Sequence, residues 1–251
     1  MILKKTNIRF PLIATLVTLL AIAVLVKLGF WQLERAEEKR KLFSDYEQQQ
    51  SKGDATALSQ LGTISSESDR FLFAKMEGEF VKQPVFFLDN KMTDGIVGYQ
   101  VIALFRPDAK PNNYIPVNMG WVPAPASRQE LPKINVPESR QNLTGYLYFP
   151  SNNKFVSNTY ETELADDRIR VQEFQPNAIS KELDIPLTDY TFLLKSPDTL
   201  GWQRNWKPQV MSPQKHQGYA VQWFSLAIAC LVIFVFAVIK LNKQPKKEET
   251  R

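Results

Sequence analysis

His216 is the single histidine of the chain, and it stands where an apolar run is about to begin. The local sequence is Lys215-His216-Gln217-Gly218-Tyr219-Ala220-Val221-Gln222-Trp223-Phe224, after which almost every residue is apolar. Imidazole is a strong axial ligand for haem iron. A titratable group at a bilayer boundary also tends to mark function. The plain alternative is an interfacial histidine that only marks where lipid starts. On a helix, His216, Tyr219, Ala220 and Trp223 fall on one face by three- and four-residue spacing. An imidazole, two aromatic rings and a small alanine make a slot for a flat macrocycle. Gln32 and Arg35 close another apolar run and, three apart, also share a face. If the two runs pack side by side, Arg35 reaches the outer lipid boundary and can pair with a carboxylate such as a haem propionate. The same residues also read as an ordinary aromatic belt with a snorkelling arginine.

Two elements must position these groups. Residues 10–26 are uncharged and mostly aliphatic, and the run extends to Trp31 if Lys27 snorkels. Residues 219–239 carry no charge at all. Each run reaches the roughly 20 residues that a helix needs to cross hydrocarbon. The first has a basic start, but it outlasts a signal-peptide core of roughly 7–15 residues and no small-x-small site follows it. It reads as a retained anchor. Lys4, Lys5 and Arg9 at one end, with Lys240, Lys243, Lys246, Lys247 and Arg251 against Glu248 and Glu249 at the other, give the tails a net +6. That leaves −1 for the rest of a +5 chain. Short basic tails stay cytoplasmic. Both termini are therefore expected inside a bacterial inner membrane, with the main domain in the periplasm.

The basic pI of 9.1 then reflects membrane topology, and nothing in the bulk charge asks for nucleic acid. The reading is a cytoplasmic tail over 1–9, a transmembrane helix over 10–31 and a helical extension and linker over 32–68. A periplasmic β-rich domain over 69–200, a pre-membrane segment over 201–217, a second transmembrane helix over 218–239 and a basic tail over 240–251 follow.

Cys230, the only cysteine, lies inside the second apolar run and reads as a small hydrophobe. One cysteine excludes an intrachain disulfide, a thiolate metal cluster and covalent haem attachment. No Gly-rich phosphate loop, Gly-x-Ser-x-Gly or His-Glu-x-x-His is present. A Ser-His-Asp triad would have to use a histidine at the membrane edge, a poor place for hydrolysis. The carboxylates Asp166 and Asp167 sit in a polar stretch and read as solvated charge.

Between the spans the pattern turns strand-like over 70–80, 84–90, 98–105, 114–123, 142–149, 167–171 and 190–195. Asp94-Gly95 is a hairpin signal. Pro116 marks an edge strand or a strand start, and Pro176 introduces a short helix over 177–183. The expected fold is two transmembrane α-helices flanking an extracytoplasmic α+β domain dominated by an antiparallel β-sheet, a small barrel or a sandwich.

Several short motifs in order complete the reading. They are Leu28-Gly29-Phe30-Trp31-Gln32-Leu33-Glu34-Arg35, then Gly78-Glu79-Phe80, Phe87-Leu88-Asp89-Asn90 and Gly95-Ile96-Val97-Gly98-Tyr99-Gln100-Val101. Val117-Asn118-Met119-Gly120-Trp121-Val122-Pro123 follows, and last comes His216 with Tyr219-Ala220 and Gln222-Trp223-Phe224. Together they resemble the Surfeit locus protein one family, assembly factors of cytochrome c oxidase, over essentially the whole chain. One residue departs from the pattern: Met119 stands where the family usually has arginine.

The resemblance implies a non-enzymatic assembly factor that binds haem a near the outer membrane face and helps insert it into the catalytic subunit of a haem-copper oxidase. It implies His216 as the axial ligand; the helix-face reading adds Tyr219 and Trp223 flanking the ring, Arg35 at a propionate and Gln32 as a further candidate binding residue. Its expected partners are that subunit, the enzyme that makes haem a, and membrane lipid. Two rivals stand beside it. One is a structural chaperone that steadies an oxidase subunit without haem. The other is a membrane haem enzyme, for which no acid-base pair flanks the candidate ligand.

Overall fold

Residues 12–50 contain no proline, and they form one helix, α1, Leu12–Gln50, of 39 residues. Thr15 ties the helix start to Pro11, whose carbonyl accepts from the Thr15 N–H (2.9 Å) and hydroxyl (3.0 Å). The computed structural model describes residues 11–51, 53–65, 68–127, 129–150, 160–163 (backbone only), 168–208 and 210–243. The tail charges Lys4, Lys5, Arg9, Lys246, Lys247, Glu248, Glu249 and Arg251, and the pair Asp166 and Asp167, lie outside the described residues.

The chain divides into two compact units, Met1–Ser44 with Pro208–Arg251, and Asp45–Lys207. The boundary falls inside α1. In the second unit, a two-residue strand β1 (Thr56–Ala57) and a 3-10 turn at Leu58–Gln60 precede β2 (Phe73–Thr93) and β3 (Ile96–Pro107). Next come β4 (Ile115–Pro123), β5 (Gln141–Tyr148), β6 (Tyr160–Glu163) and β7 (Arg168–Val171). A short helix α2 (Pro176–Leu183) and β8 (Thr191–Ser196) complete this unit. In the first unit, α3 (Pro213–Lys243) is the second long helix.

The sheet closes. Strands run in the order β3-β4-β8-β5-β2, and β2 pairs back to β3, so five strands make a closed barrel, with the two long apolar helices before and after it in the sequence. Closure removes the exposed edges that an open sheet would leave. Most pairings are antiparallel. The parallel ones are β1 with β2, β2 with β7, and β4 with β8.

The stretches 70–80 and 84–90, read separately in the sequence, are one 21-residue strand. The register with β3 shifts between Phe80 and Val85. There Pro84 withholds a donor and the ladder skips rather than ends. One half of β2 therefore pairs with β5 and the other with β7, while β3 accompanies both. The turn is as expected: Thr93 pairs with Ile96, and Asp94 (φ 50°) and Gly95 (φ 80°) are both left-handed, as a type I′ turn requires. Pro116 sits next to the start of β4, which lies between β3 and β8. The strand-start reading therefore holds and the edge reading does not.

Alternate residues fill the barrel, among them Met76, Phe87, Val101, Phe105, Val117 and Phe192. A second cluster, with Phe86, Ile102, Leu104, Ile169, Phe174 and Ile179, packs β7 and α2 on the outer wall. The last residues of α1 belong to this unit as well. The buried Tyr46 ring meets Phe71 edge-on at 5.3 Å and lies 6.4 Å from Tyr146. Burial raises the Tyr46 hydroxyl pKa. Gln50 donates to that hydroxyl at 2.6 Å.

Candidate functional site

Both long helices present an apolar stretch of membrane-crossing length. Only 6% of that stretch in α1 and 11% in α3 is buried, whereas a core helix of a water-soluble protein is mostly covered. The sheltered residues follow one rule. In α1, Ile22, Leu25, Gly29, Gln32 and Ala36 recur at alternating steps of three and four. In α3, His216, Ala220, Trp223, Ala227 and Cys230 do the same. That spacing is the a/d seam of a left-handed helix pair. Ala36, Ala220 and Ala227 are almost fully covered. Small side chains at such positions let helix backbones approach closely where lipid gives no hydrophobic drive to associate.

Two contacts fix how the helices meet. The Phe224 ring lies over Gly29: a Cβ added there would stand 2.5 Å from a ring carbon. Phe30 meets the same ring edge-on at 5.4 Å. Two residues beyond Phe30 in one direction and two turns back from Phe224 along α3 in the other, the Gln32 amide oxygen lies 2.7 Å from His216 Nδ1. The helices are thus antiparallel. Ser212 and Pro213 start α3: the Ser212 hydroxyl accepts the Lys215 N–H at 3.4 Å, and proline at the first helical position gives up only an N–H that had no partner. His216 is therefore held in a well-defined first turn.

The structure brings some of the sequence-derived site residues together and separates others. His216 and Gln32 touch, and Trp223 lies on the same seam, half-buried. Tyr219 does not join them. It is 43% exposed, because the seam steps from 216 to 220 and leaves 219 on the flank. Arg35 is on the outer side of α1, ion-paired with Glu38 and 5.8 Å from the Trp31 ring centroid. A hydrogen bond from the Lys39 ammonium, with the charges of Lys39 and Arg35, holds the Glu38 carboxyl below its usual pKa despite some desolvation. The pair is thus intact at neutral pH and is lost only as acid protonates Glu38. Sequence reasoning missed Glu38 as the partner that occupies Arg35. It also missed the packing roles of Gly29, Ala36 and Ala227. The seven-residue spacing of small residues, Gly29 to Ala36 and Ala220 to Ala227, was the available signal.

A model of the SURF1 family matches residues 19–228, which span most of α1, the whole barrel and the first half of α3. The chain belongs to the SURF1 family. It is also 28% identical over 243 residues to a SURF1-like protein of Rickettsia felis, a match that covers 88% of this chain and 94% of that relative. The SURF1 family consists generally of cytochrome oxidase assembly factors and is not known as a family of enzymes. Membership and the two long apolar helices together give a membrane location. Met119, where the resemblance leads one to expect arginine, is interior: it is 1% exposed and alternates with Ile115 and Val117 on the barrel-core face of β4.

Helix contact in this SURF1 chain should be sensitive to bulk at Gly29. Gly29→Leu forces the Phe224 ring aside and separates Gln32 from His216. The expected cost is about 1–3 kcal/mol, as for overpacking elsewhere. Steric trapping or a thermal melt in detergent would measure it. A wild-type melting temperature would mean that the helices do not meet at Gly29.

Proposed function

We propose that this chain holds haem a at the outer face of a bacterial inner membrane and passes it to the catalytic subunit of a haem-copper oxidase. His216 supplies the axial nitrogen. The observation that carries the reading is the imidazole itself, set on the seam of two membrane helices with one ring nitrogen engaged by Gln32. A bare metal ion asks the protein for three or four ligands, and among the described residues no cluster of His, Cys, Asp and Glu offers them. Haem iron brings four nitrogens of its own and needs only an axial protein donor. A lone, well-held imidazole suits that cargo.

The other residues divide the work. Trp223 lies on the same seam, two turns further along α3 from the imidazole. Tyr219, exposed on the flank, is free to meet the face or edge of the ring system. Arg35 binds a propionate by exchanging it for Glu38, a carboxylate for a carboxylate, so the switch costs little net charge pairing. Bound haem a supplies the redox-active iron that the oxidase needs, and the carrier adds no chemistry to it. With one protein imidazole the affinity stays moderate, which lets the cargo leave. The basic tails keep both termini in the cytoplasm and put the barrel in the periplasm, where the oxidase subunit and the enzyme that makes haem a can be met from the same face.

The test is an absorption spectrum of the full chain purified from cells that make haem a. Co-purified haem with a Soret band is the expected result. A chain that never carries haem, yet still restores oxidase assembly in a strain lacking it, would make this a structural chaperone.

A further inference from the structure

Within this haem-carrier reading, we propose that Gln32 is a positioning residue for His216: its amide oxygen accepts the Nδ1–H and leaves Nε2 as the nitrogen that binds iron. The inference rests on the assignment of His216 as ligand, but its first half concerns the apo chain alone. A neutral imidazole carries one proton on either of two nitrogens, and only the bare one can coordinate. The partner of the other nitrogen decides which is bare. Here the partner is a carboxamide oxygen 2.7 Å from Nδ1, a short distance for a neutral acceptor.

Both ends of the hydrogen bond are fixed by packing. Gln32 sits on the seam between Gly29 and Ala36, and His216 lies one turn before Ala220, which is 1% exposed. The glutamine therefore cannot swing away without leaving the helix contact. In a haem protein a backbone carbonyl or carboxylate commonly plays this part. A glutamine is a weaker acceptor than a carboxylate. It makes the imidazole a less electron-rich ligand, which favours release over retention. The sequence pattern did not distinguish this role: it named Gln32 as a candidate binding residue, and the structure adds its contact with the histidine.

Because His216 is the only histidine, its ring can be observed without assignment. The experiment uses the full apo chain in nanodiscs with 15N-labelled histidine, and two-bond proton–nitrogen correlation to read the tautomer. Haem a titration follows on the same samples. In wild type the expected signal is the Nδ1–H tautomer, the minor one in free histidine. Gln32→Leu, which keeps an apolar seam residue of similar size, should revert to Nε2–H and weaken haem a binding by about 10–100-fold. Gln32→Glu should restore both the tautomer and the affinity, with a lowered iron reduction potential.

Circular dichroism of each variant checks that α1 and α3 remain helical. An Nε2–H ring in the wild-type apo chain overturns the positioning role, and so does unchanged haem affinity in Gln32→Leu. A wild-type chain with the Nδ1–H tautomer that takes up no haem a overturns the carrier reading instead, and with it the role of Nε2.

Discussion

Replacing His216 by alanine should strip the chain of haem, with an affinity loss of more than about 100-fold. Removing a group that merely orients a metal ligand already costs about 10–100-fold, and here the ligand itself goes. The chain has no reserve. It has no second histidine. Cys230 is on the same seam but fourteen residues further along α3, or about 20 Å at a helical rise of ~1.5 Å per residue. The loss should be local, since His216 is only half-buried and the seam is held chiefly by Gly29, Ala36, Ala220 and Ala227. Stability in detergent should therefore change by no more than about 1 kcal/mol.

Two further measurements separate ligand loss from misfolding. Circular dichroism of His216→Ala should match wild type. A His216→Gly chain given free imidazole should regain the Soret band, because the small molecule fills the place of the missing ring. If His216→Ala purifies with as much haem as wild type, His216 is not the ligand, and the site as drawn here is wrong.

Much of the fold was legible in the residues, for identifiable reasons. Asp94-Gly95 announced its turn because few sequences tolerate two consecutive left-handed residues. The apolar runs announced two long helices because lipid demands length and leaves no room for charge. The helical extension of α1 followed from a weak helical period through Leu33, Ala36, Lys39/Arg40 and Phe43. The barrel did not announce itself. Closure depends on β2 pairing back to β3 while reaching β5, and strand order is a property of the whole chain. Pro84 disguised one long strand as two, since a missing donor looks the same at a bulge as at a strand end. The strand β1 has two residues, too few to show a period of two.

At the site, residue type was informative and direction was not. His216 stood out by being alone in the composition. Its neighbour across the seam could be found only by knowing that the helices pack antiparallel through small residues. Tyr219 illustrates the limit. Steps of three and four both satisfy a helical face, but the seam uses them in strict alternation, and 216 to 220 takes the step of four. The exposed Arg35 gave no sign of its Glu38 partner beyond a spacing of three, which occurs by chance throughout a charged helix.

Met119→Arg should destabilise the barrel by about 3–5 kcal/mol, the cost of a buried charge left without a partner. This substitution introduces the residue type that the sequence resemblance leads one to expect here, and on sequence grounds alone it looks benign. Physically it is not. Met119 is 1% exposed and belongs to the cluster that fills the barrel, where its companions are apolar apart from the hydroxyl ends of Tyr99 and Tyr190. Tyr190 already has its hydroxyl buried without a hydrogen-bond partner, and burial pushes its pKa upward.

A guanidinium needs up to five acceptors, and no carboxylate belongs to that cluster. The polar groups nearby in sequence are committed: Asn118 donates to Gln100 at 3.1 Å and accepts the Gly120 N–H at 3.2 Å, and the Met119 carbonyl accepts the Trp202 N–H at 2.9 Å. The arginine must therefore displace part of the core to reach water. Met119→Leu, which keeps volume and polarity, should cost less than about 1.5 kcal/mol. Urea unfolding of the full chain, followed by tryptophan fluorescence, compares the two. Equal midpoints for Met119→Arg and wild type would show that the barrel opens to solvent at β4. The departure from the family motif would then be neutral rather than a fixed feature of this core.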